Sequence, residues 1–205
     1  MTAELLDLAQ DERADLAAFL ATLSPQEWHA PSLCRGWTVK DVVAHVVSYE
    51  ELGAFGLAKR FAKGWVLRAN EVGVREFASL SPEELLGFLR AHLRPRGLTA
   101  GFGGMIGLVD GIIHHQDIRR ALGRQRTVPA ERLERVLPLL PGNPRLGVGR
   151  RIKGLRLVAT DLDWRHGDGP EVHGTGEALM MAMTGRPAAL DELSGPGQPT
   201  LAQRL

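Results

Sequence analysis

The stretch Leu33-Cys34-Arg35-Gly36-Trp37-Thr38-Val39-Lys40-Asp41-Val42-Val43-Ala44-His45 decides how this chain is read. Thr38 is a helix N-cap candidate, and Asp41 stands three residues later, where its carboxylate can reach back to the cap. Trp37 before the cap and Val42 after it have the spacing of a hydrophobic staple. Val42, Val43, Val46 and Val47 follow on, so a helix is expected from Thr38 past Leu57. His45 lies on that helix, one turn beyond Asp41.

The helical reading extends in both directions. Residues 2–23 place Leu5, Leu6, Leu16, Phe19 and Leu20 at mostly helical spacings. Ser24-Pro25-Gln26-Glu27 starts a short second helix that must end before Pro31. Ser81-Pro82-Glu83-Glu84 repeats the serine-proline start, and its helix ends before Pro95. Residues 97–104 read as a flexible glycine-rich turn, followed by a helix over 105–122 with Gly123 as its stop. A last helix is expected between Pro129 and Pro141. Beyond it the character changes. Residues 141–151 read as a linker, 155–164 as a strand, 166–170 as a turn and 170–173 as the second strand of a hairpin. Helices over 176–184 and 187–193 and a frayed tail complete the reading. The expected fold is mainly α. Residues 1–140 form a helix bundle, and 141–205 form a small α+β segment packed on it, too small to build a core of its own.

Composition narrows the function classes. The chain has 205 residues, 44% hydrophobic and 24% charged, which is ordinary globular composition. Its net charge of +1 gives no electrostatic footprint for nucleic acid. A single cysteine leaves no intrachain disulfide and no CxxC zinc knuckle. The longest uncharged apolar stretch, Leu98 to Val109, is too short to span a bilayer. The start carries Glu4, Asp7, Asp11 and Glu12 rather than the basic residues of a signal peptide, so a cytoplasmic location is expected.

Seven histidines carry the possible chemistry. Asp110 and His114 are four residues apart on the expected 105–122 helix and share a face. They can point two ligand atoms at one metal ion, and His45 from a neighbouring helix is the natural third, leaving a fourth position open. Asp41 and Asp117 are placed to hold the far nitrogens of His45 and His114. Each also has an ordinary explanation: Asp41 as a capping residue, Asp117 as a surface partner of Arg119 or Arg120. His115 points roughly 100° away from His114 and reads as packing or surface. His29 and His92 have no partner at ligand spacing. His166 and His173 flank a turn as a weak second site or as exposed loop residues. Cys34 is a nucleophile or a small hydrophobe. Arg90, Arg94 and Arg96 suit either an anionic substrate or a solvated helix end. No nucleophile elbow, phosphate loop or dinucleotide fingerprint is present.

Residues 33–45, quoted above, resemble the N-terminal signature of the mycothiol-dependent maleylpyruvate isomerase family. Asp110-Gly111-Ile112-Ile113-His114-His115-Gln116-Asp117-Ile118-Arg119-Arg120-Ala121-Leu122-Gly123 resembles its second motif. The runs 154–161, 176–179 and 184–187 resemble its tail. The resemblance implies a DinB-like four-helix bundle in which His45, Asp110 and His114 bind a divalent metal, usually zinc; nickel, iron or manganese also suit these donors. It implies mycothiol as thiol cofactor and a small electrophilic substrate. A metal-bound thiolate attacks that substrate, giving isomerisation if the thiol leaves again and conjugation if it stays. One residue departs from the family pattern: Asp110 stands where glutamate is common, so the helix must approach more closely or hold the metal more weakly. Two other readings stand beside this one, a hydrolase using activated water and a non-catalytic metal-stabilised bundle that binds a ligand or partner. Bundles of this kind often pair through helix faces, which allows a homodimer.

Overall fold

The computed structural model describes the backbone of residues 2–205 and the side chains of residues 4–63 and 68–205. It divides into two compact units, Met1–Arg126 and Thr127–Leu205. The first contains α1 (Thr2–Leu20), α2 (Pro25–Trp28), α3 (Val39–Val47), α4 (Ala54–Glu76), α5 (Pro82–Ala91) and α6 (Met105–Ala121). Three of these start on the signals read from sequence. Ser24 with Glu27, Thr38 with Asp41, and Ser81 with Glu84 each form a capping box. Each box satisfies two backbone N–H groups that the first turn would otherwise leave unpaired.

Helix α1 packs on α6, α6 on α3, α3 on α5 and α5 back on α1, which closes a four-helix bundle. Its interior is filled by Leu16, Leu20, Val39, Val42, Val43, Val46, Leu85, Leu89 and Ile118. Helix α3 does not run past Leu57 as its valine stripe suggested. It ends at Ser48, whose carbonyl accepts a 2.6 Å hydrogen bond from Arg60. Glu50 then turns inward to Arg13 and Thr99. Helix α4 restarts the chain from Gly53, which makes no side-chain cap bond, so no start signal announces it.

Glycines let α1 approach α6. Gly104 has φ +98°, and a Cβ there would lie 2.6 Å from Leu6 Cα. A Cβ on Gly111 would lie 3.2 Å from Glu12 Cγ. The glycine-rich segment expected as a flexible turn is thus a 3-10 turn over Gly101–Gly104 fitted against the α1 backbone. Gly104→Ala combines a left-handed backbone with overpacking against main chain. It is expected to cost about 2–4 kcal/mol, measured as the shift in a urea unfolding midpoint.

The second unit holds α7 (Ala130–Val136), α8 (Val148–Ile152), β1 (Arg156–Ala159), β2 (Arg165–His166), β3 (Glu171–Gly174), α9 (Gly176–Met183) and α10 (Gln198–Ala202). Helix α7 therefore groups with this unit rather than with the bundle expected over 1–140. The expected linker contains α8. The expected long strand is shorter, because the chain leaves the sheet at Asp161, whose Oδ1 accepts the Gly176 N–H at 2.7 Å where α9 begins. The expected hairpin is replaced by a sheet of order β2-β1-β3. Leu157 faces His166 antiparallel and Val172 parallel. Helix α9 packs on β1 and β3. The tail is α10, anchored by a buried Leu201 rather than frayed. Among the described residues no helix is long and apolar enough to cross a membrane.

Candidate metal centre

His45 comes from α3 and Asp110 and His114 from α6, two helices packed against each other. Asp110 Oδ1 lies 3.3 Å from His45 Nε2 and 3.4 Å from His114 Nε2. The three donor atoms all fall within 4.8 Å of one another. A tetrahedral ion with bonds of about 2.0–2.1 Å places its ligands about 3.3 Å apart. The two separations from Asp110 Oδ1 match that edge, so the donor set is of a size that suits a divalent metal. The shorter aspartate reaches both imidazoles because α6 lies close to α3.

Neighbouring side chains orient the three candidate donors. His114 Nδ1 lies 3.0 Å from Asp117 Oδ2, and Asp117 is fully buried. Asp117 is thus placed to hold the His114 ring. Asp41 does not reach His45: its Oδ2 accepts from the Thr38 N–H at 2.9 Å and the Thr38 hydroxyl at 2.7 Å. The cap uses the carboxylate, and His45 Nδ1 is buried without a hydrogen-bond partner. Rings hold His45 instead. The Trp37 ring centre is 5.3 Å away and the Tyr49 ring centre 6.2 Å. Tyr49 is not legible as a neighbour of His45 from sequence, because it follows the end of α3 and is brought to the ring by the turn there.

Charges within the cluster are strongly coupled. Burial works against an ionised Asp110, but the His114 and His45 imidazoles outweigh it and hold the carboxyl well below its usual range. Burial likewise works against a charged His114, but Asp110, Asp117 and Cys34 raise it well above the ordinary imidazole value. The proton on His114 is the one that metal binding would displace.

Other expected sites resolve differently. His166 and His173 join no metal-ligating group among the described residues. His173 lies 3.0 Å from Glu171, and His166 stacks with Trp164. Arg94 pairs with Asp7 at 2.7 Å, and the Arg96 backbone N–H bonds Glu50. Cys34 proves to be part of the centre's surroundings, with Sγ 3.0 Å from Asp117 Oδ2 and 3.5 Å from His114 Nδ1.

His115 is buried against polar groups rather than simply packed or at the surface. Its Nδ1 lies 2.8 Å from Glu12, and its Nε2 accepts from Arg119 at 2.8 Å. Burial, with the positive charges of Arg126 and Arg119, outweighs Glu12 and lowers its pKa to about 4. The unfolded chain protonates this group near 6.5 and the folded chain near 4, so folding stability falls as pH drops through that window. His115→Gln is expected to flatten the pH dependence of the unfolding free energy between pH 6.5 and 4, measured by urea titration. The wild type should lose about 3 kcal/mol there.

The fold is therefore a four-helix bundle with a small second unit, and its donor set is of the kind that holds a divalent metal. Residues 9–96 match the family described as the mycothiol maleylpyruvate isomerase N-terminal domain. The matched range contains His45 and ends before Asp110 and His114. Two solved structures share the fold. One is a histidine-to-alanine mutant of the mycothiol-dependent maleylpyruvate isomerase, 18% identical with a TM-score of 0.67. The other, described as the mycothiol-dependent maleylpyruvate isomerase, is 15% identical with a TM-score of 0.58. Each alignment covers 97% of this chain and 94% of the other. No curated protein matches the sequence.

Proposed function

We propose that this protein is a cytoplasmic, metal- and mycothiol-dependent isomerase or S-transferase acting on a small electrophilic substrate, with His45, Asp110 and His114 as the metal ligands. The observation that carries this reading is the convergence of three donor atoms from two helices around Asp110 Oδ1. Two neutral imidazoles and one carboxylate leave a divalent ion with one residual positive charge, which suits an anionic fourth ligand. A metal in this set, zinc by the family's habit, would stabilise the cofactor's thiol as its nucleophilic thiolate.

This chain's own residues supply orientation. Asp117 sets the His114 ring so that Nε2 faces the centre. Trp37 and Tyr49 flank His45 with aromatic surface and restrict its rotation.

The test is metal content by mass spectrometry on the wild type, His45→Ala and His114→Ala. Near one metal per chain, lost in both variants, is expected. Mycothiol should then shift the visible spectrum of the cobalt-substituted wild type. An unchanged spectrum removes the thiol-dependent reading, and turnover without any thiol would favour activated water instead.

A further inference from the structure

We infer that the protein carries a second metal-binding set, Cys34, Asp117 and the Nδ1 edge of His114, suited to a thiophilic d10 ion such as cadmium. The set lies across the His114 ring from the donors already described. Cys34 Sγ is 3.0 Å from Asp117 Oδ2 and 3.5 Å from His114 Nδ1, and that nitrogen is 3.0 Å from Asp117 Oδ2. A zinc-sized ion, with a metal–sulfur bond of about 2.3 Å and metal–nitrogen and metal–oxygen bonds of about 2.0–2.1 Å, separates its ligands by about 3.3–3.6 Å. The larger cadmium ion needs somewhat more, and side-chain movements of up to about an ångström bring the three donors to its spacing.

Electrostatics distinguishes this set from the first. A thiolate, a carboxylate and a neutral imidazole cancel the charge of a divalent ion. The first set leaves a residual positive charge. Sulfur also changes the preference: thiolate favours soft ions, whereas imidazole and carboxylate accept harder ones.

The backbone already holds the donors in place. The loop carrying Cys34 is closed by the Pro31–Thr38 bridge and by the Ser32 hydroxyl bonded to the Trp37 carbonyl at 2.9 Å. It is fastened to α6 by the Leu33 N–H on the Asp117 carbonyl at 3.1 Å. Binding releases the thiol proton and uses the Nδ1 lone pair, which leaves the remaining ring proton on Nε2. That tautomer cannot serve the first set, so the two sets compete for His114.

Cys34 is the chain's sole cysteine, so any thiolate–metal absorption belongs to it. The experiment is a cadmium titration, followed by near-ultraviolet thiolate-to-metal charge transfer, of the wild type, His45→Ala, and His45→Ala combined with Cys34→Ser. His45→Ala disables the first set and leaves the second intact. It is expected to take one cadmium per chain with a full charge-transfer band, and the double variant is expected to lose that band and most of the binding. Circular dichroism of the metal-free variants confirms that both are folded. A wild type and a His45→Ala protein that show no charge-transfer band at saturating cadmium overturn the inference. So does a double variant that binds cadmium as tightly as His45→Ala. Both outcomes concern Cys34, which the thiol-dependent reading does not use, so neither bears on that reading.

Discussion

Asp110→Ala is expected to abolish stoichiometric metal binding, weakening affinity by at least about a thousandfold. Loss of a partner one step removed from a metal already costs about 10–100-fold, and Asp110 stands between both imidazoles. Its Oδ1 lies 3.3 Å from one Nε2 and 3.4 Å from the other. Removing it leaves two neutral nitrogens and no charge on the protein side of the site. Asp110→Asn keeps an oxygen of the same reach and drops the charge, so it should fall between wild type and alanine. Asp110→Glu should keep the metal, because an extra methylene can fold back where α6 meets α3. Chelator competition with zinc ranks the four proteins. An alanine variant that holds zinc as the wild type does would show that Asp110 is no ligand.

Glu50→Ala is expected to have the largest effect on stability, about 3–5 kcal/mol. Arg13 and Glu50 form a 2.6 Å ion pair, with side chains 1% and 0% exposed. Glu50 also accepts from the Thr99 hydroxyl at 2.6 Å and the Arg96 N–H at 2.9 Å. It therefore ties α1, the turn after α3 and the segment before α6 into one network. Truncation leaves the Arg13 guanidinium buried without its counter-charge, which is the costly way to break such a pair. Replacing both partners by apolar residues, Arg13→Met with Glu50→Leu, removes that burial cost. The double variant is expected to unfold at higher urea than Glu50→Ala alone. If the two variants unfold at the same urea concentration, the penalty does not come from an orphaned charge.

Sequence alone determined the parts of this protein whose causes are local. The starts of α2, α3 and α5 are set by a capping side chain and its partner three residues on, and each was legible before any packing was known. Asp110 and His114 share a face because four residues make about one helical turn. Gly123 stops α6 with φ +65°, a conformation that favours glycine. His45 could be nominated as their partner, but no spacing rule joins residues sixty-five positions apart.

Tertiary structure decided everything that depends on a distant neighbour. The end of α3 is set by Arg60 and Glu50, not by the valine pattern, which reads equally well as a longer helix. Whether Asp41 served the cap or the histidine was a competition between two nearby acceptor roles, and the cap won. Asp117 and Cys34 are eighty-three positions apart, and only the fold brings them to 3.0 Å. The strand at 156–159 finds a parallel partner because the chain first returns antiparallel on one of its edges as β2 and then runs along the other as β3. Capping and helical periodicity act within one turn of chain and leave a mark in the sequence. Ring placement, buried charge pairing and metal-ligand convergence depend on which helices meet, and that is settled by packing the whole bundle.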